Sequence, residues 1–243
     1  MLPADTAPEP APALAWERTI NAAEGAQNPL LRGTRLLVVS AHPDDETIGA
    51  GRLIAAHDGP VQCVTLTAGE RCFGEMSDQE SVAAERLAEW EAALIIMGAE
   101  PIETPRWPDG ELGAHVSEAA AALSEAASEA DVILAPWEHD PHPDHEAAAR
   151  IARHAGAAAG IRTLNYVVWT PYWMYPAEVA ARGALIVPVE TDVRSEATWR
   201  RALESFRSQT APRPPAKRAL VPPELISRHA TQLLVEGAGS AHA

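Results

Sequence analysis

The sequence predicts a single α/β domain in which a mostly parallel β-sheet is flanked by helices. The chain has 243 residues, 47% of them apolar, which is enough for one sizeable core. Apolar strand-like segments alternate with helix-compatible segments four times in succession, a pattern typical of doubly wound sheets. Two of these strand-like segments, 36–40 and 131–137, run directly into clusters of histidine and carboxylate residues. In a parallel sheet both clusters would lie at the carboxyl edge, where such sheets bind ligands.

Local signals predict the first elements of the chain. Residues 1–13 hold four prolines and are predicted to form a flexible tail. A short helix within 16–32 would cover an edge of the sheet before the first strand, 35–40. Residues 47–57 should form a helix, because acidic residues stand at its start, where the helix dipole favours negative charge, and a Gly-Pro pair follows its end.

The middle of the chain continues the alternation. The run VQCVTLT (61–67) indicates the second strand, and a capping box at 77–80 begins a long amphipathic helix that runs to Met97 and is ended by Gly98. The pattern then predicts a short strand at 101–103, a helix over 116–130, a strand over 131–135 and a helix over 144–154.

The pattern changes beyond residue 160. Strands are expected within 162–170 and at 184–189, a helix over 193–208, and a short helix after the proline-rich stretch 212–223. The last residues, 236–243, are predicted to fray. The chain is therefore predicted to consist of a flexible tail, one Rossmann-like domain over 14–235 and a frayed end.

Composition excludes several classes of partner. The formal net charge of −15 disfavours nucleic acid or an anionic membrane surface as the main partner, because a negative field repels phosphate. The two cysteines, Cys63 and Cys72, show neither metal-ligand spacing nor a disulfide framework, which favours a reducing compartment. No apolar run has the length of a membrane span, and the first twenty residues lack the features of a secretory signal. We therefore expect a cytoplasmic protein without a membrane span, and association into a homo-oligomer stays open.

The two polar clusters contain a plausible set of metal ligands. A divalent metal that activates water needs about three protein ligands and an open position, and zinc prefers imidazole and carboxylate among the side chains present here. His42 and Asp45 are three residues apart across the turn at Pro43 and can converge on one point. His145, in the second cluster, can supply the third ligand. A helix cap alone would account for the acidic residues of the first cluster, but not for two clusters at equivalent strand ends.

Three further residues of the clusters suit the chemistry of such a site. Asp44 stands next to a predicted ligand and can accept a proton from water. His142 can stabilise a developing oxyanion and protonate a leaving amine, and Asp144 can orient a histidine.

The motifs AHPDDE (41–46) and HPDH (142–145) together resemble those of the LmbE-like, or PIG-L, family of zinc-dependent deacetylases, which act on N-acetylglucosamine conjugates. The segment TAGE (67–70) and the loop 108–110 are also similar to family segments. Some relatives place a tyrosine two residues before the first histidine of HPDH, where this chain has Asp140.

The resemblance implies a zinc site, with iron(II) as an alternative, in one catalytic domain. It implies that the metal ligands are His42, Asp45 and His145, that Asp44 is the general base, and that His142 and Asp144 assist. By the same resemblance Arg86, Asp109 and Glu70 contact the substrate. Two of these have structural alternatives, since Arg86 can pair with Glu89 or another acidic residue on its own helix face and Asp109 suits a turn.

The main functional hypothesis is therefore metal-dependent hydrolysis of an N-acetyl amide on an amino sugar, a small-molecule conjugate, releasing acetate and a free amine. One alternative is an amidase for another acyl group, acting on a thiol conjugate or a glycopeptide antibiotic. Another is a non-catalytic module that binds sugar or metal on the same fold. A nucleotide-binding enzyme is disfavoured, because phosphate would meet the acidic residues 44–46.

Overall fold

A computed structural model describes residues 13–22, 32–74, 77–189, 191–213, 218–229 and 232–237. The predicted flexible tail, 1–13, lies outside these ranges except for its last residue, which begins a helix. Among the described residues, no helix has both the length and the apolar character that crossing a membrane requires.

One sheet forms the centre of the fold, and its seven strands lie in the order β3-β2-β1-β4-β5-β7-β6. The strands are β1 Leu36–Ser40, β2 Val61–Thr65, β3 Glu100–Pro101, β4 Val132–Pro136, β5 Arg162–Tyr166, β6 Ala184–Val189 and β7 Gln232–Gly237. Every pair among β1 to β5 is parallel, whereas β7 is antiparallel to both β5 and β6. The predicted mostly parallel sheet is therefore confirmed.

Helices lie on both faces and at one edge of the sheet. They are α1 Ala13–Ala22, α2 Asp45–Ala56, α3 Gln79–Met97, α4 Val116–Ala122, α5 Ser124–Glu129, α6 Pro143–Ala159, α7 Thr170–Trp173, α8 Pro176–Ala181, α9 Val193–Leu203, α10 Arg207–Thr210 and α11 Pro223–Arg228, with a short 3₁₀ turn at Leu112–Ala114. Helix α1 packs on the edge strand β6 through the cluster that contains Trp16 and Ile186, as expected for a helix that covers an edge.

The central strand β1 explains why the two polar clusters meet. Its five residues are buried, because a parallel strand covered on both faces needs apolar side chains on both. Leu36 and Val38 pack into the core on the side of α2, α3 and α9, while Leu37 and Val39 pack into the core beneath α4, α5 and α6. Because β1 lies between β2 and β4 in parallel register, the loops after β1 and β4 leave the same edge side by side.

Several predicted boundaries differ from the structure. The prediction that residues 236–243 fray is wrong for Glu236 and Gly237, which belong to β7. Residues 238–243 lie outside the described part of the chain. Strand β7 was not predicted, because its pairing partners lie far away in sequence and its short apolar run carries no turn signal of its own. The helix predicted over 116–130 is two helices that meet at Leu123, and the one predicted over 193–208 ends at Leu203.

Candidate metal centre

A strained turn connects β1 to α2 and sends two neighbouring carboxylates in different directions. Asp44 has φ 153°. Among the described residues it is the only one other than glycine with a positive φ. The Oδ2 atom of Asp45 accepts a hydrogen bond from the backbone N–H of His42 at 2.8 Å. Asp45 thereby faces the histidines, whereas Asp44 faces Arg86 on α3.

The structure brings the three predicted metal ligands together. Asp45 Oδ2 lies 3.2 Å from His42 Nδ1, and Asp45 Oδ1 lies 3.1 Å from His145 Nε2. Ligand atoms placed about 2.0–2.2 Å from a tetrahedral zinc ion are about 3.3 Å from one another. Asp45 thus contacts both buried histidines, through a different oxygen atom for each, and the assignment of these three residues as one ligand set stays a prediction.

His142 lies close to the same point. Its ring is 4.7 Å from the ring of His42 and 4.8 Å from that of His145, measured between centroids. One ligand atom from each of the three histidines lies within 4.8 Å of the ligand atoms of the other two. The same holds for His42, Asp109 and Asp144. The centre is thus rich in donors that suit a divalent cation.

The surroundings of His145 indicate whether these side chains suit a metal ion. Its Nδ1 lies 2.7 Å from Asp140 Oδ2, whereas its Nε2 is fully buried and forms no hydrogen bond. A histidine whose one nitrogen is fixed by a carboxylate, and whose other nitrogen forms no hydrogen bond and faces a second carboxylate, is arranged as a metal ligand. The side chains therefore fit a divalent metal at this point.

The electrostatics of the site also favour a cation. Burial alone would lower the pKa of His145, but the charge of Asp45 and the hydrogen bond to Asp140 raise it to about 9. Burial works against the charged form of Asp45, yet the charge of His145 and that of His42 hold the pKa of this carboxyl well below its usual range. The carboxylates thus favour positive charge at this point. That charge can be carried by protonated histidines or by a metal cation.

Asp44 is placed beside the ligands rather than among them. Burial raises its pKa and the charge of Arg86 lowers it, giving about 6. A buried carboxylate with such a pKa is ionised at neutral pH and remains basic enough to take a proton from water.

Arg86 is buried and directs its guanidinium inward. Its Nη2 lies 3.2 Å from Asp44 Oδ2 and donates to the carbonyl of Pro43, while Nη1 donates to the carbonyl of Gly69 at 2.9 Å. A Cβ atom at residue 69 would lie 1.9 Å from Nη1, so glycine is needed there. Arg86 therefore holds the loop that carries Asp44, and its predicted contact with substrate stays a prediction.

Asp109 and Glu70 lie in two loops beside His42. Asp109 Oδ1 is 3.3 Å from His42 Nε2, and Asp109 Oδ2 accepts from the backbone N–H of Arg71. Burial raises the pKa of Asp109, but the hydrogen bond and the charge of His42 lower it to about 2. Glu70 accepts from the backbone N–H of Asp109 at 2.9 Å and so joins the two loops.

His142 and Asp144 stand at the start of α6. His142 caps the helix, because its Nδ1 accepts from the backbone N–H of Asp144 at 3.2 Å. Burial, together with the charges of His42 and His145, lowers the pKa of His142 to about 3, so the ring is neutral. The carboxylate of Asp144 accepts from Gly110 N–H and lies 3.3 Å from His42 Nε2. Asp144 therefore contacts His42 through its carboxylate and His142 only through its backbone.

Sequence reasoning missed the role of Asp140. Its buried carboxylate contacts His145 and also accepts three backbone N–H groups, those of residues 168, 169 and 170. The available signal was its place five residues before His145, in the cluster that follows a buried strand. The loop over 168–170 that completes its environment has no mark in the sequence.

Comparisons with known proteins bear on the family and the fold of this chain. The family model described as PIG-L, GlcNAc-PI de-N-acetylase, matches residues 37–156. A 1D-myo-inositol 2-acetamido-2-deoxy-alpha-D-glucopyranoside deacetylase of Nocardiopsis dassonvillei is 30% identical over 258 residues, covering 83% of this chain and 85% of the relative. The deacetylase of the same name from Mycolicibacterium gilvum is 29% identical over 179 residues, 61% of each chain, so the match spans less than two thirds of that relative.

Among solved structures, the A40926 pseudoaglycone deacetylase Dbv21 has a TM-score of 0.62 at 18% identity, covering 84% of this chain and 96% of the other. At that identity the likeness shows the shared fold.

Proposed function

This chain belongs to the PIG-L family, and from that premise we propose that it is a metal-dependent hydrolase that removes the N-acetyl group from an N-acetylglucosamine-type conjugate, giving acetate and a free amine. The observation that carries the proposal is the buried carboxylate of Asp44, which precedes Asp45 in the turn and is close enough to His42, Asp45 and His145 for their charges to affect its pKa. A module that only binds sugar or metal has no need of a base at that position.

His42, Asp45 and His145 would hold the metal, which we propose is zinc, with iron(II) as the alternative. When bound, such an ion polarises an amide carbonyl and lowers the pKa of water. The protein contributes three converging donors, of which His145 is fixed by Asp140. It also contributes a negative environment that favours the cation over empty, protonated ligands.

Asp44 takes the proton of the attacking water. Arg86 keeps its carboxylate ionised by opposing the effect of burial on its pKa, and it fixes the turn by binding the carbonyl of Pro43. We propose that Arg86 acts in this way, through Asp44, rather than by touching the sugar.

His142 stabilises the oxyanion that forms when water adds to the amide. Because its Nδ1 accepts from the backbone of Asp144, the proton of the neutral ring is assigned to Nε2, which is then free to donate. The proton taken up by Asp44 is available for the leaving amine, so a water molecule is added across the amide bond overall.

Asp109 and Glu70 form the side of the site nearest His42. Asp109 is 9% exposed and can accept from a sugar hydroxyl, while Glu70 fixes the Asp109 loop through its backbone. Contact of either with substrate stays a prediction, as do the cytoplasmic location and a homo-oligomer.

Acetate release from a panel of N-acyl glucosamine conjugates tests the proposal. The native chain should release acetate only when metal is present, and Asp44→Asn should bind metal while its turnover is strongly reduced. Asp131→Asn is the matched control, since Asp131 is exposed and pairs with Arg35 at the opposite edge of the sheet. Bound metal with no release from any N-acetyl conjugate, but release from another N-acyl conjugate, would establish the amidase alternative; tight binding without any release would establish a binding module.

A further inference from the structure

The carboxylate of Asp140 has no exposed surface and is fully occupied by donors. Its Oδ1 accepts from Val168 N–H at 3.1 Å, from Thr170 N–H at 2.7 Å and from the hydroxyl of Thr170 at 2.5 Å. Its Oδ2 accepts from Trp169 N–H at 3.0 Å and faces His145 Nδ1 at 2.7 Å.

This arrangement fixes both the place and the direction of the carboxylate. Four of the five donors belong to one short segment, 168–170, which follows β5 and begins α7. Three are backbone N–H groups, which can only donate, and the fourth is a hydroxyl that donates here, so the side chain presents lone pairs to all four, as an ionised carboxylate does. The contact with His145 is the one of the five that Asp140 makes outside this segment.

The consequence for His145 is a fixed ring orientation. An ionised carboxylate at Nδ1 requires that nitrogen to carry the proton, which leaves the lone pair on Nε2. That nitrogen is buried, forms no hydrogen bond, and faces Asp45 Oδ1 at 3.1 Å. Asp140 gives the shorter of the two carboxylate contacts of the ring, 2.7 Å at Nδ1 against 3.1 Å at Nε2, and it is the one that remains when Nε2 faces an ion.

We propose that Asp140 is a positioning residue of the metal centre, which orients His145 toward the ion and couples the segment 168–170 to that ligand. This inference rests on the metal site of the proposed function and is independent of the identity of the substrate. The residue touches neither the ion nor the reacting amide.

Asp140→Asn is the sharpest perturbation because it keeps the shape of the side chain. The amide has one acceptor oxygen and brings an NH₂ group that needs an acceptor. If the NH₂ group faces His145, it donates to Nδ1 and the ring proton moves to Nε2, where the metal must bind. If it faces the segment 168–170, it meets N–H and O–H donors and the carboxamide is displaced. Both orientations weaken the metal site.

Metal affinity of the full chain, measured by titration with Zn²⁺ against a chromophoric chelator, gives the main readout. Asp140→Asn should bind Zn²⁺ about 10- to 100-fold more weakly than the native chain, the usual effect of removing a partner of a metal-bound histidine. The visible absorption of the Co²⁺-loaded protein, which reports coordination geometry, should change as well. Asp131→Asn, the same substitution at an exposed aspartate, should leave both unchanged.

A role limited to anchoring the loop predicts a different result. Asp140→Asn would then lower the melting temperature of the metal-free protein, while Zn²⁺ affinity and the Co²⁺ spectrum stayed native; that result would overturn the inference. If Asp140→Asn does not fold, Thr170→Val decides the question, because it removes one donor to Asp140 and leaves His145 untouched. A several-fold loss of Zn²⁺ affinity in Thr170→Val, with Thr170→Ser native-like, supports the inference, and native affinity in Thr170→Val overturns it.

The native chain separates this inference from the proposed function. A native protein that binds no Zn²⁺ or Co²⁺ would remove the metal site itself. Native binding together with unchanged binding in Asp140→Asn removes only the positioning role.

Discussion

Replacing Arg86 should shift the pH dependence of the reaction toward higher pH. Burial raises the pKa of Asp44 and the charge of Arg86, 3.2 Å away at Nη2, lowers it, with a net pKa of about 6. Arg86→Met removes the charge and leaves the effect of burial unopposed. Because the base acts only when ionised, activity is lost as the pH falls through this pKa. A higher pKa therefore moves the acid limb of the kcat/KM profile upward.

The size of the shift follows from the contact. An opposite charge at this distance lowers the pKa of a carboxyl group by about 1–3 units. Without it, the acid limb should lie about 1–3 pH units higher, and at any pH on that limb activity should fall by about 10- to 1,000-fold. At high pH the ionised base returns and the difference should shrink. A bound cation lowers the pKa in both proteins, so the prediction concerns the difference between them.

The assay is kcat/KM for acetate release between about pH 5 and 10, the range in which a shift of this size is visible. Arg86→Lys, which keeps a cation, should shift the limb less than Arg86→Met. Arg213→Met is the surface control, since Arg213 pairs with Glu85 where both side chains are 42% exposed. An unchanged acid limb in Arg86→Met combined with a raised KM would refute the positioning role and favour direct contact with the sugar.

Four further outcomes are expected. Asp44→Asn should keep its metal while kcat falls by about 10²- to 10⁴-fold, the contribution of a general base; a smaller loss would assign proton transfer to another group. His145→Ala should lose both activity and most of the roughly one metal ion per chain that metal analysis of the native protein should find. Gly69→Ala should unfold at lower denaturant concentration than Gly74→Ala, because both glycines have positive φ but only the first would place a Cβ against Arg86; equal midpoints would contradict the packing argument. Removing metal with a chelator should lower the melting temperature, corresponding to about 3–4 kcal/mol when the free metal had been at about 100 to 1,000 times its Kd, and added Zn²⁺ should restore it.

Much of the architecture was predictable because its signals are local. The burial of β1 on both faces appears as an unbroken apolar run, and the end of α3 is marked by Gly98, which has φ 76°. The start of α3 was misplaced by one residue, since the side chain that accepts from Ser81 N–H belongs to Asp78 and not to Ser77. Neighbouring polar residues compete for a cap, and only the final backbone geometry selects one.

The long-range parts of the fold were not predictable in the same way. Strand β7 pairs with β5, and its partner residues Asn165 and Tyr166 are some seventy residues earlier in the chain. Nothing in the run 232–237 indicates that it enters the sheet between two other strands, because that placement depends on which edge the remaining chain leaves free.

The sequence by itself determined the α/β class, the meeting of the two polar clusters at one sheet edge, and the identity of His42, Asp45 and His145 as candidate ligands. The rules of parallel sheets and the spacing of the motifs are sufficient for those conclusions. Only the tertiary structure decided the partners of the remaining side chains: Arg86 faces Asp44, and Asp140 faces His145. The physical reason is that a buried charge needs an opposite charge or a hydrogen-bond partner nearby. Here the partner comes from a segment that is distant in sequence, so the residues around the charge do not reveal it.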